Sequence, residues 1–213
     1  MNRVFAILGM LAAVGVLAWF FPLFHVVSRE SLRAEKEQAV FRAADFVKEF
    51  WSAKLTPALV EAADARAVLA VLRESPEQGR TQYGRSVGLG RSSLYFLRGR
   101  GAIVSVDSKQ IGVSLADATG DADIVLVTDL LFGNTVRDAT GLLSGDDFPN
   151  SQQFNEVSTE LNRTIELTII PRLKQQAKVG AVIEFVGCAE VTNLPRDVTP
   201  LKVIPLNVSF NFK

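Results

Sequence analysis

Hydrophobic and polar residues recur at different periods along this chain, and each change of period marks a new element. From Val4 to Phe24 there is no charged residue. About 20 apolar residues is the length that crosses a bilayer core as one helix. Arg3 precedes this run, and Trp19, Phe20 and Phe21 stand near its far end, where aromatic rings favour the interface. Two readings compete, a cleaved secretory signal and an anchor. A cleaved signal needs small residues before the cut, and here the chain runs Phe21, Pro22, Leu23, Phe24, His25, Val26, Val27. Residues 1–27 are therefore expected to be a transmembrane anchor or uncleaved signal.

Beyond the anchor the apolar period is helical. Ser28 or Ser31 can cap a helix, and Val40, Phe41, Ala44, Val47, Trp51 and Leu55 fall on one face. Thr56 and Pro57 are expected to restart the chain as N-cap and first helical residue. Leu59, Ala62, Ala63, Val68, Leu69 and Leu72 then continue a second helix that stops before Ser75 and Pro76. Residues 28–82 thus read as a helical hairpin. The aromatic stripe Phe41, Phe46, Phe50 and Trp51 is expected to be a packing seam rather than a ligand groove. Gly84, Gly88 and Gly90 then suggest turns with positive φ.

From Leu94 the period falls to two. Leu94–Leu97 leads through Gly99 and Gly101 to Ala102–Asp107, a long strand that the glycines should bend. Ile111–Leu115 alternates, and Ile124–Val127 is a continuous apolar run of the kind buried on both faces. Phe154, Val157, Leu161, Ile165, Ile169 and Leu173 restore a helical face over Gln152–Ala177, which Pro171 should kink or break. A strand over Ile165–Ile169 is the alternative. Ala181–Val191 reads as a strand. Leu206, Val208, Phe210 and Phe212 form another, with Pro205 marking an edge position at its start. Five strands with a long helix between the third and fourth is the element order of an OB-fold. The fold class is α+β, with an N-terminal transmembrane helix, a helical hairpin, and a five-stranded OB-like barrel over 83–213. A different α+β sandwich is the alternative.

Composition narrows the chemistry. The 213 residues carry 23 basic and 23 acidic side chains, for a net charge of zero. A nucleic-acid binder relies on a basic surface that releases counterions, so that class is disfavoured. Cys188 is the one cysteine and His25 the one histidine. A disulfide within the chain, a cysteine- or histidine-clustered metal site and a Ser-His-Asp triad in the globular part are thereby excluded. No cofactor is expected.

The stretch Gly133, Asn134, Thr135, Val136, Arg137, Asp138, Ala139 joins the apolar strand at Ile124 to the long helix, and Asp147, Phe148, Gln153, Phe154 and Asn155 follow it. Together with Tyr83-Gly84, Arg98-Gly99-Arg100-Gly101 before Val104, Leu161-Asn162, Gly187 and a closing strand after Pro200, it resembles a bacterial family of unknown function labelled predicted periplasmic lipoproteins. The resemblance covers most of the chain after the anchor. It implies a periplasmic domain and a link with sugar-type ABC transporters. The chain departs from the family in having no lipobox cysteine, so a helix is expected to replace lipidation. The result would be a single-pass inner-membrane protein with its globular part in the periplasm.

Candidate site residues are Arg137, Asp138, Asp107, Asp147 and Asn155. Adjacent residues rarely face one another, so Arg137 and Asp138 are each expected to hold a separate partner. A structural reading has them tie down loop carbonyls and turns. A functional reading makes them the polar rim of a barrel mouth, binding a small sugar-like or anionic ligand. Cys188 has no histidine to activate it and reads as an inert thiol. Glu184 and Glu190, roughly 20 Å apart at about 3.3 Å per strand residue, are too far apart for glycosidase chemistry. The sequence therefore points to a membrane-tethered, non-catalytic module contacting a transporter component or small ligand. The alternative is a periplasmic hydrolase or isomerase using the carboxylates near Arg137.

Overall fold

The alternation that begins at Leu94 becomes a closed barrel. The computed structural model describes residues 41–86, 92–116, 120–194 and 196–211. A two-residue strand, β1 (Ala63–Asp64), precedes β2 (Ser93–Val106), β3 (Gln110–Ser114), β4 (Ile124–Val127), β5 (Val182–Val191) and β6 (Leu201–Asn211). Their order in the sheet is β1-β2-β3-β4-β6-β5, and β5 pairs back onto β2 to close the ring. The β4–β6 and β1–β2 pairs are parallel, the rest antiparallel. The long strand that the glycines should bend does serve both halves: Ser93–Ala102 pairs with β5 and Ala102–Val106 with β3, with a register shift between Ile103 and Ser105. Gly101 stands at the handover, where a Cβ would collide with the carbonyl oxygen of Ser114.

Inside the barrel, Leu97, Ile103, Ile111, Val113, Ile124, Leu126, Ile183, Phe185, Leu201 and Val203 form one cluster. Helix packing completes it. After α1 (Ala43–Phe50), α2 (Ala65–Glu74) buries Ala65, Val68, Leu69 and Leu72 in that cluster. Each buried leucine contributes about 1.5–3 kcal/mol relative to exposure. A further helix, α3 (Pro76–Tyr83), follows Ser75 with proline in its first turn.

The helical hairpin departs from expectation at two places, and its first part, with Ser28, Ser31 and Val40, lies outside the described residues. Thr56 does not restart the chain. α1 passes through a π-helical turn, Trp51–Leu55, into a helical turn at Thr56–Ala58. Thr56 keeps helical angles and its hydroxyl donates to the Trp51 carbonyl at 2.8 Å. A proline ring crowds the carbonyl four residues back, and the wider π-turn accommodates it. Nor is residue 59 to 72 one helix. After a 3-10 turn, Leu59–Glu61, the chain extends so that Ala63 and Asp64 pair with Leu97 and Arg98. Asp64 then caps α2, accepting from the Ala67 amide at 3.0 Å. The positive φ expected at the first of the three glycines is not found, since Gly84 has φ −84; Gly88 and Gly90 lie outside the described residues.

After β4 come α4 (Thr135–Thr140) and the long α5 (Ser151–Gln176). Pro171 does not end α5, and no strand forms over Ile165–Ile169. Buried Ile165, Ile170 and Leu173 lie on both sides of the exposed proline and outweigh one missing hydrogen bond. In β6, Pro205 is interior rather than initial. It pairs opposite Gly187 where the register shifts between Val186 and Gly187, a bulge that has no use for its missing amide. Arg42–Lys213 is one compact unit. The expected anchor lies outside the described residues, among which no helix is long and apolar enough to cross a membrane.

Candidate functional site

The turn at Gly133, φ +81, delivers the chain into α4 and places Arg137 toward the start of α5. Arg137 is 5% exposed, and its guanidinium is held on every side. Nε donates to Asp138 Oδ1 at 2.6 Å and Nη2 to Asp138 Oδ2 at 3.1 Å. Nη1 donates to the Phe154 carbonyl and to Asn155 Oδ1, both at 3.2 Å. The Phe154 ring lies 3.6 Å beneath its central carbon, a cation–π contact. Phe154 in turn packs on Phe148 at 5.2 Å, Phe148 on Phe46 at 5.2 Å, and Phe46 stacks with Phe50 at 6.2 Å. The junction thus clamps α4, α5 and α1 together. Separate partners were expected for Arg137 and Asp138. They pair with each other instead, because the long arginine side chain folds back over its neighbour to form a two-pronged contact. With four bonds made, the guanidinium keeps at most one N–H for anything else.

The remaining candidates divide between places. Asp147 accepts from the Ser144 amide at 2.9 Å in a capping box. It shares with Asp138, Arg85 and Phe154 a groove of about 430 Å³. Asn155 borders an apolar cleft of about 610 Å³ between Leu130–Asn134 and α5. Asp107 belongs to neither; it accepts from the Ser108 hydroxyl at 3.0 Å in the β2–β3 turn. Cys188 is buried on β5, the strand that α4 packs against, and burial pushes its thiol well above the ordinary range. Glu190 is exposed and accepts from the Thr135 hydroxyl at 3.0 Å. Among the described residues no cluster of histidine, cysteine or carboxylate side chains is placed to hold a metal ion.

A different site escapes sequence reasoning. On the outer barrel face, Gln110 of β3, Val125 of β4, Glu190 of β5 and Lys202 of β6 form the floor of a groove of about 740 Å³. Its wall is the β5–β6 connection, through Thr192, Arg196, Asp197, Thr199 and Pro200. The wall is fastened at several points. Asp197 Oδ2 accepts from the Asn193 amide at 2.7 Å and the Thr192 amide at 2.9 Å. Those amides hold its carboxyl below the usual carboxylate range. Val198 is fully buried, and its carbonyl accepts from Arg73 of α2 at 3.4 Å. Arg73 also reaches Asp123 Oδ1 at 3.1 Å, while the Asp123 carbonyl accepts from the Leu201 amide at 3.0 Å. The Thr199–Pro200 peptide is cis. Arg196 and Lys202 both lie within electrostatic reach of Asp197, and neither has a hydrogen-bond or ion-pair partner among the described residues. The only sequence signals for this site were an acidic residue and a threonine–proline step between two strands, which mark a turn and no chemistry.

Residues 14–209 match the family described as predicted periplasmic lipoprotein (DUF2291). Among solved structures, the chain is similar to an OB-fold protein from Thermotoga maritima. The two are 26% identical, the likeness covers 81% of this chain and 100% of that one, and the TM-score is 0.72. No curated protein matches the chain. The barrel order described above is that of the OB-fold, so topology and likeness agree.

Proposed function

This chain belongs to the family of predicted periplasmic lipoproteins, and from that premise we propose that it is a membrane-associated, non-catalytic binding module of the periplasm. The observation that carries the reading is the groove walled by the β5–β6 connection. OB-folds bind ligands on the face built from their second and third strands, between the first and fourth connecting loops. In this chain those strands are β3 and β4, and the fourth loop is the wall that carries Arg196 and Asp197. The groove is polar, open and fastened in place before any ligand arrives, which keeps the ordering cost of binding low. Its occupant in this reading is a small sugar-like ligand, and its partner at the membrane is a component of a sugar-type ABC transporter. The apolar segment 4–24 serves as the tether in place of a lipid, since the one cysteine is buried in β5.

A hydrolase or isomerase draws less support. Asp138 is committed to Arg137, Asp147 to the Ser144 amide, and Asp107 stands in another turn. The test is thermal unfolding of the full-length chain in detergent against a panel of sugars and metabolites. A ligand present at 100 times its dissociation constant adds about 2.7 kcal/mol. A rise in midpoint that Thr199→Ala abolishes supports the groove. If no compound shifts the midpoint, and no transporter subunit cross-links to the chain in native membranes, the reading fails.

A further inference from the structure

Resting on that reading, we infer that the groove on the β3–β4–β6 face takes an oxyanion, the carboxylate or phosphate of a small acidic sugar, clamped between Arg196 and Lys202. The argument is one of unmatched donors. Four charged side chains line the groove: Arg196, Lys202, Asp197 and Glu190. Each carboxylate already has one oxygen engaged within the chain, Asp197 Oδ2 by the amides of Thr192 and Asn193, Glu190 Oε2 by the hydroxyl of Thr135. The two cations are not engaged among the described residues. Around them, Gln110 and Thr199 supply side chains that also form no bond among the described residues. A guanidinium and an ammonium with no partner among the described residues are complementary to a ligand that brings charged acceptors.

The lining also excludes a competing mode. Among the described residues no aromatic ring borders the groove, so they give neither a base nor a sugar face a platform to stack on. Recognition must run through hydrogen bonds and charge. Arg196 offers a planar fork suited to two oxygens of one anion, and Lys202 a point charge from the barrel floor. The wall bearing Arg196 is pinned at Asp197 by two amides and at Val198 by Arg73. The backbone that carries Arg196 is thus held in position without the ligand.

Isothermal titration of the full-length chain in detergent tests this. The probes are galacturonate, glucose 6-phosphate, inorganic phosphate, and neutral galactose and glucose. Galacturonate and glucose 6-phosphate are expected to bind at least about tenfold more tightly than their neutral counterparts. Arg196→Gln and Lys202→Gln, both at exposed positions, should each weaken that binding by about tenfold or more, with thermal midpoints unchanged. Affinity should also fall as salt is raised. Preference for galacturonate makes the anion a carboxylate; preference for glucose 6-phosphate with measurable inorganic phosphate binding makes it a phosphate. Neutral sugars binding as tightly as the acidic ones, with both variants unaffected, would overturn the oxyanion while leaving a binding module standing. No binding of any acidic probe at millimolar concentration overturns it too. The binding module itself then stands or falls on the wider thermal panel.

Discussion

Arg137 carries a buried charge whose counter-ion is its own neighbour in sequence. The side chains are 5% and 12% exposed, so neither charge is well solvated. Removing one partner of a buried pair strands the other, at a cost of about 3–5 kcal/mol. Arg137→Ala should therefore lower the urea-unfolding free energy by about that much. Arg137→Lys should restore little, because an ammonium cannot replace the fork or the flat contact with Phe154. A stable, folded Arg137→Ala with weakened ligand binding would show the junction to be a binding site instead of a clamp. Asp197 makes a prediction about pH. Its folded carboxyl titrates below the usual range because the Asn193 and Thr192 amides stabilise the ionised form. The hold it exerts on the wall is complete above an ordinary aspartate pKa, about 3.9. It is lost as pH falls through the lower folded value. Protection from hydrogen exchange at Thr192 and Asn193, relative to the intrinsic rate at each pH, should persist down to about pH 4 and fall only below it, and Asp197→Asn should remove that dependence.

At the scale of the element, β2 and α5 show how far a sequence pattern reaches. The glycines of β2 announced a bend, and the strand does change partners at Gly101, where backbone approaches backbone. Gly101→Ala should cost about 2 kcal/mol or more, since the added methyl meets a carbonyl that cannot move without breaking the β2–β3 ladder. Circular dichroism melts would register it. If the variant unfolds at the wild-type midpoint, the close approach is not what shapes the strand. For α5 the apolar face was legible and the continuation through Pro171 was not. A local rule for proline counts one lost bond and one clash, whereas the helix is held by burial on either side of it. The same holds for Ala63–Asp64, whose helical spacing is overridden by a pairing with β2 far along the chain. The arginine clamp was legible as residues but not as geometry. That Arg137 meets Phe154 and Asn155 depends on the chain turning back at Gly141, φ +67.

For the whole molecule, element order was enough to name the barrel, because few topologies join five strands with one long helix between the third and fourth. The groove was not legible, because its charges come from a connection and from two strands, and its floor from four strands that meet only once the ring closes. Ring closure has one more consequence. β6 comes after every other strand in the chain, yet it is not at an edge; it lies between β4, its parallel neighbour, and β5. A chain that emerges amino end first from a ribosome or an export channel must hold β4 and β5 with open edges until its final strand arrives. Open edges recruit whatever backbone is nearby. Until β6 is in place, the two edges that it fills stay open to mispairing.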